Sequence, residues 1–498
     1  MSAPRRQGMS FVVSRDSTHR ESSPMPNLRI KSVSRWSLTG LWLISCASAS
    51  VMAQQNVDLI VDADYLVSMV SESDVIENAA IAVHEGRILD IGSHKSIHSK
   101  YQSDTVLPGT DQIVLPGLVN AHTHAAMTLF RGIADDLDLM DWLNNYIFPL
   151  EGKYVDHDFV RLGTELACLE MILGGTTTVV DMYFYAEVAA PVFEECGIRA
   201  LVSAFESPRG MLDAAEVTKD LQTVEDIRQS WSLTTDRVHP ILSAHAVYTI
   251  PTEELIVRRE IANELGVPIN IHVAESEAET AYSVANYETT PVSYLDSIGF
   301  FSGGVIAAHM IYPTAEEIEL LVARGVGVVH NPTSNMKISA GISPVVDMLN
   351  AGVPVALGTD GAASNNDLDM WTEIHLATLL QKVTRMDPKA LPAFEVLKMA
   401  TVNGAKVINQ FEDIGTLEIG KKADFIQIEI SDLQHTPMYD VLSHLVYVTD
   451  AHNVSNVVID GNVVVRDGKA LTLDEERVKA ETREFAEKLK QMIDEGEE

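Results

Sequence analysis

Apolar and polar positions change their rhythm twice along the chain. From Val57 to about Gln112, short runs alternate apolar and polar residues with turn residues between them, as in VDLIVDADYLVSMV, AAIAVHEGRILDIGSH and DQIVLPG. Period-two patterning of this kind predicts strands with one buried face. The same texture returns in TLEIGKKADFIQIEI and NVSNVVIDGNVVVRDGKAL, where Asp460-Gly461 marks a hairpin turn. The two chain ends therefore predict one small β-sandwich. From Asp474 to Glu498 the chain is charged with apolar residues at helical spacing, which predicts an exposed terminal helix.

Between the two ends, continuous apolar runs alternate with helix-like segments, the signature of a parallel sheet with crossover helices. Eight strands are predicted, at 118–124, 176–184, 199–207, 238–246, 268–275, 304–310, 325–331 and 354–360. Helical stretches such as RLGTELACLEMILGG and AEEIELLVARG separate them and close on glycine. Eight βα units favour an α/β fold of the (β/α)8 TIM-barrel type over an open doubly wound sheet. The predicted organisation is an export segment at 1–53, the first part of the sandwich at 54–115, the barrel at 116–410, and the rest of the sandwich with the terminal helix at 411–498.

Charge narrows the function classes. The 498 residues carry a formal net charge of −35, which repels phosphate backbones and anionic headgroups and argues against nucleic acid as a partner. The first 53 residues depart from this balance: Arg5, Arg6, Arg15, Arg20, Arg29, Lys31 and Arg35 face only Asp16 and Glu21. An uncharged run from Trp36 to Ala53 follows, too short and too rich in Ser and Ala to span a membrane but suited to a signal-peptide core. Two processing readings stand. One is cleavage before Gln54; the other is lipidation of Cys46 in the lipobox-like LISC. Both imply export, with the bacterial periplasm as the expected location and the cytoplasm the alternative if the segment is not a working signal. Cys168 lies in a helical pattern and reads as a buried, inert thiol. A homo-oligomer is left open, since no partner motif is visible.

The polar residues gather where a barrel places its chemistry, at the C-terminal strand ends. Strand one ends in His122-Thr123-His124, strand five in His272 with Glu275 three residues on, strand six in His309 and strand eight in Asp360. Side chains alternate in a strand, so His122 and His124 point the same way. A third histidine and a carboxylate would complete an N3O set for zinc, with room for water. A single H-x-H is also the mark of a buried histidine pair. The four further groups favour metal, because burying so many ionisable side chains without one is costly. Taken singly, Glu275 also reads as a helix cap and His309 as a core histidine; jointly they read as a proton shuttle and a group that orients or deprotonates water, a task Asp360 would share.

The stretches PGLVNAHTHAAMTLFRGIADDL, INIHVAES, IAAHM, VVHNPTSNMKISAG and ALGTDGAASNN resemble the amidohydrolase superfamily, and within it the 5-methylthioadenosine/S-adenosylhomocysteine deaminases. The resemblance covers roughly residues 57–470. It implies a (β/α)8 barrel flanked by a β-sandwich, one zinc bound by His122, His124, His272 and Asp360, and Glu275 and His309 as the proton-handling pair. Iron or manganese could substitute for zinc. Two-metal members place a bridging lysine on strand four, whereas this strand reads SAHA, so a single-metal site is expected. His245 then matches a residue that touches the purine, and Glu151 one that binds the ribose hydroxyls. Trp142, with Met127 and Phe148, is expected to line the pocket of the 5′-substituent. Arg209 is the only close candidate after strand three for holding an amino-acid carboxylate, so 5′-methylthioadenosine or adenosine is expected ahead of S-adenosylhomocysteine. The rival expectation is another amino- or halogen-substituted heterocycle, such as guanine, a pterin or a triazine.

Overall fold

Eight parallel strands stand side by side in chain order in the computed structural model, which describes residues 54–204 and 236–496. They run Leu118–Thr123, Thr176–Asp181, Arg199–Ala204, Val238–Ala244, Ile269–Val273, Val305–His309, Gly327–His330 and Val355–Leu357. The expected export segment, Cys46 and Arg209 lie outside the described residues. First and eighth strands are not joined by a regular ladder. Asn120 closes the seam instead: its Oδ1 accepts from Thr359 N–H at 3.0 Å and its Nδ2 donates to Thr359 Oγ1 at 2.7 Å. Asp360 N–H then donates to the His122 carbonyl at 3.1 Å. The result is a nearly closed (β/α)8 barrel, as the pattern predicts.

The barrel interior is graded from apolar to polar. Val180, Leu201, Ile241, Ile306, Val329 and Ala356 form one buried cluster with Ala405, Val407, Ile408 and Ile414, which plug the N-terminal end. Burial of such side chains contributes about 1.5–3 kcal/mol apiece. This base fixes the strands from below, so their C-terminal ends are free to carry polar groups. The helices wrap outside as expected. His157–Leu173 is capped by Asp156, and Ala315–Arg324 begins with a reciprocal capping box between Thr314 and Glu317.

The two chain ends build one nine-stranded sheet. Phe425–Glu429 from the C-terminal part pairs antiparallel with Gln112–Pro116 from the N-terminal part, and Leu59–Val67, Val75–His84 and Arg87–Ser93 follow in order. The sheet curls back on itself, because Ile88 N–H donates to the Lys421 carbonyl at 2.9 Å and Gly420 N–H to the Ile88 carbonyl at 2.8 Å. Leu59, Val61, Ile81, Val83, Val114 and Phe425 fill the inside of that curl. The expected hairpin sits between Val454–Ile459 and Asn462–Arg466, with φ of 51° at Asp460 and 76° at Gly461, the two positive values that its tight turn requires.

Barrel and sheet are stitched at Gly117, one residue after the sheet strand ends and one before the first barrel strand. A Cβ there would lie 2.0 Å from Thr177 Oγ1, so the crossing admits only glycine. Beside it, Arg199 at the start of the third barrel strand pairs with Asp424 through two bonds of 2.9 and 3.2 Å, both side chains nearly inaccessible. The terminal helix, Glu475–Gly496, is less exposed than its composition suggests. Phe485 meets Phe159 edge-on with centroids 5.6 Å apart, and Arg477 pairs with Glu165 at 3.1 Å. Among the described residues no helix is long and apolar enough to cross a membrane.

Arg199→Leu is expected to destabilise the fold by about 3–5 kcal/mol, since it strands a buried carboxylate. The double substitution Arg199→Leu with Asp424→Leu should recover most of that loss. Denaturant unfolding of the three proteins checks this.

Candidate active site

Four of the side chains that the sequence singles out meet at the barrel mouth. His272 Nε2 lies 3.1 Å from His122 Nε2 and 3.3 Å from His124 Nε2. Asp360 Oδ1 lies 3.3 Å from His122 Nε2 and 3.1 Å from His124 Nε2. All four ligand atoms fall within 4.8 Å of one another. The rear nitrogens show what these atoms carry. His124 Nδ1 faces the Met182 carbonyl and His272 Nδ1 the His245 carbonyl, the latter at 2.8 Å. A carbonyl only accepts, so both Nδ1 atoms bear a proton; neutral His272 then presents a lone pair at Nε2, and His124 does so wherever a cation takes the place of its second proton.

Lone pairs converging at about 3 Å repel unless a cation lies between them. Asp360 Oδ1, buried and without a hydrogen-bond partner, points into the same space. Protonation behaviour says the same. Burial pushes His122 down to about 4 and His272 well below the usual imidazole range. Burial also opposes charge on His124, yet the Asp360 carboxylate holds that imidazole up at about 9. The cluster thus requires one positive charge beside its carboxylate, and a divalent ion meets that need. Tetrahedral zinc with bonds of 2.0–2.1 Å places its ligands about 3.3–3.4 Å apart, close to the spacing seen. The residues present fit zinc.

Each ligand is steered by a local device. Strand five ends with Ala274 at φ 52°, strand six with His309 at 73° and Met310 at 45°, and strand eight leads into Asp360 at 60°. These left-handed turns cost of order 1–3 kcal/mol each and swing side chains out of the ladder towards the mouth. They also explain why strands five, six and eight stop one to three residues short of their predicted ends. Asp360 Oδ2 accepts from Ser334 Oγ at 2.8 Å and Ser364 Oγ at 3.0 Å, leaving Oδ1 for the cluster.

Glu275 and His309 flank the four ligands. His309 Nε2 lies 3.6 Å from Glu275 Oε1 and 3.9 Å from Asp360 Oδ2. Its Nδ1 is 2.8 Å from Asn335 Oδ1 and 3.4 Å from Asn331 Nδ2, the shorter contact favouring the proton on Nδ1 and a lone pair on Nε2. Glu275 is not the cap of the following helix: Ser276 caps Glu277–Tyr287. Glu275 is held instead through its backbone N–H, which donates to Glu279 Oε2 at 2.7 Å. Burial raises the Glu275 carboxyl above its ordinary range.

The remaining predicted residues fall at different depths. The His245 ring stands 4.9 Å from that of His272, and Phe148 meets it edge-on at 6.0 Å. The Thr249 hydroxyl lies 2.9 Å from His245 Nδ1 and 3.2 Å from the Ala246 carbonyl. Glu151 is buried beside Tyr183, whose phenol is pushed up first by burial and then by that carboxylate. Tyr183 in turn lies 6.4 Å from the His124 ring. Met127 borders the site too, since a Cβ on Gly361 would meet Met127 Sδ at 3.1 Å and His124 Cβ at 3.2 Å. Trp142 is buried in the main apolar core. Trp142, Phe148 and Glu151 share one helical run, Leu139–Tyr154, widened by a π turn at Leu143–Ile147.

Sequence reasoning assigned no chemical task to Ser334 and Asn335, and did not single out Ser364, Glu279 or Tyr183. Ser334 and Asn335 stand in HNPTSN directly after strand seven, and that position beside a barrel strand end was the available signal. Glu279 lies one helical turn from Glu275, a spacing compatible with contact but shared by many surface carboxylates.

The amidohydrolase family profile matches residues 113–464. The chain belongs to the amidohydrolase family. A 5-methylthioadenosine/S-adenosylhomocysteine deaminase of Syntrophomonas wolfei is 42% identical over 436 residues, 86% of this chain and 99% of that protein. A 5′-deoxyadenosine deaminase of Methanosarcina acetivorans is 42% identical over 436 residues, 87% of this chain and 98% of its own length. Among solved structures, an adenosine deaminase from Xanthomonas campestris with bound zinc superposes with a TM-score of 0.84 at 35% identity, covering 88% of this chain and 100% of that one.

His272→Ala is expected to lower the zinc held after dialysis by one equivalent per chain. Metal analysis of the folded variant checks it, and unchanged zinc would place the ion elsewhere.

Proposed function

We propose that this amidohydrolase deaminates an adenine nucleoside at C6, releasing ammonia and the inosine analogue. The observation that carries the reading is the pairing of a bare His309 Nε2 with the buried carboxyl of Glu275, 3.6 Å apart beside the four-ligand cluster. One group is set to take a proton and the other to give one. The relatives named as adenine-nucleoside deaminases, matched over nearly their whole length, support the substrate class.

Zinc held by His122, His124, His272 and Asp360 would supply the Lewis acidity that lets a water yield hydroxide near neutral pH. The rest is work for side chains. His309 Nε2 accepts the proton of the attacking water, its tautomer fixed by Asn335. Glu275, whose carboxyl is raised by burial, donates a proton to the ring nitrogen next to C6 as the new C–O bond forms. Now a carboxylate, it takes the remaining proton of the added hydroxyl and passes it to the amino group, so that the carbonyl forms as the C–N bond breaks with ammonia as the leaving group, and the proton held by His309 returns to Glu275. His245 faces the purine edge. Glu151 accepts from the ribose diol, which favours nucleosides over free bases. Met127 and Phe148 supply an apolar border suited to a 5′-methylthio or 5′-deoxy group, in keeping with 5′-methylthioadenosine, 5′-deoxyadenosine or adenosine as substrate.

The test is ammonia release and the ultraviolet change from amino- to oxo-purine with these nucleosides, S-adenosylhomocysteine, adenine and guanine. Turnover of free bases without nucleosides would overturn the proposal. Glu275→Gln is expected to keep its metal and lose turnover by roughly 10²–10⁴; loss of the metal in that variant would refute the shuttle role. Glu151→Ala should raise KM for nucleosides and leave any free-base activity nearly unchanged, and an equal loss on both would mark Glu151 as structural.

A further inference from the structure

We propose that Asp62, His94 and His98 form a second divalent-cation site, outside the barrel and suited to zinc. Asp62 lies on the strand Leu59–Val67 of the nine-stranded sheet, its side chain 14% exposed. His94 and His98 stand one turn apart on the helix His94–Lys100, so both project on one side of it. That side is fixed by packing. Ile97, fully buried between them in sequence, sits in a satellite core with Val57, Ile60, Ala80 and Ala82. Ser93 caps the helix by accepting from Ser96 N–H.

The three side chains converge on one point. His98 Nε2 lies 2.7 Å from Asp62 Oδ1, and His94 Nε2 lies 3.5 Å from Asp62 Oδ2. The imidazole rings are stacked, with centroids 4.2 Å apart at 30°. One ligand atom from each residue falls within 4.8 Å of the other two. Both histidines thus turn the same nitrogen towards one carboxylate from a short, capped helix.

The donor chemistry selects the ion. Two neutral imidazoles and one carboxylate suit zinc and its borderline neighbours, whereas calcium and magnesium require sets made almost wholly of oxygen. Three protein ligands leave a position for water. With His94 more than half exposed, the site is open, so it should bind more weakly than the buried four-ligand cluster. The strongly acidic surface, net −35, raises the local cation concentration. A bound ion would cross-link helix His94–Lys100 to strand Leu59–Val67.

The full chain is dialysed to equilibrium against saturating zinc and the metal per chain compared with His98→Ala and with His94→Gln, the second chosen because its side chain is largely solvated. Each variant is expected to hold one equivalent less than the natural sequence while nucleoside turnover stays unchanged. Equal zinc in all three proteins would overturn the proposal.

Discussion

Three imidazole nitrogens and a carboxylate oxygen aimed at one point form an arrangement that no protein interior tolerates without a positive charge at its centre. They crowd within 4.8 Å of one another, and burial denies them water. Much of the barrel mouth can be understood as the scaffold that holds this unfavourable geometry in place. Met182 and His245 lend carbonyls that fix two imidazole tautomers, Ser334 and Ser364 take one oxygen of Asp360, and left-handed residues at the ends of strands five, six and eight turn side chains inward. Such supporting contacts govern metal affinity almost as strongly as the ligands do.

The energy that sustains the strain comes from elsewhere in the same barrel. The apolar base, closed by Val407, Ile408 and Ile414, is remote from the chemistry and fixes strand positions. The curled sheet adds a second support through the Arg199–Asp424 pair and the tight crossing at Gly117. Stability is concentrated at one end of the strands and function at the other. This separation lets the polar end depart from ideal strand geometry, which a barrel with chemistry at its base could not afford.

A division of labour also appears among the proton-handling groups. His309 and Glu275 are both buried, yet their environments set opposite roles. Asn335 occupies the His309 Nδ1 proton and leaves Nε2 as a base, whereas Glu275 has its backbone N–H tied to Glu279 and its carboxyl raised by burial. A base and an acid beside one water site are what hydrolytic removal of an amine requires. The helical run that carries Phe148 and Glu151 lies outside the four-ligand cluster, where changes need not disturb those side chains.

How much of this was legible beforehand follows from the range of each interaction. Strand alternation, capping glycines and the Asp460-Gly461 turn are local, so the eight βα units and the pairing of the two chain ends could be read from pattern alone. The ligands were legible because each sits at a strand end, where a barrel brings distant residues together whatever lies between them. The roles of Asn335 and Ser334 were not, for each depends on which lone pair meets which proton across more than twenty residues of intervening chain. Nor could spacing reveal that the seam between strands one and eight is closed by the Asn120 side chain, or that Asp62 faces His94 and His98. By itself the sequence determined the barrel and singled out the four side chains that meet at its mouth, with Glu275 and His309 beside them. Tertiary structure alone decided the tautomers, the strained turns and the contacts that orient them, because hydrogen bonds and charge interactions act over a few ångströms of space and leave no periodic trace along the chain.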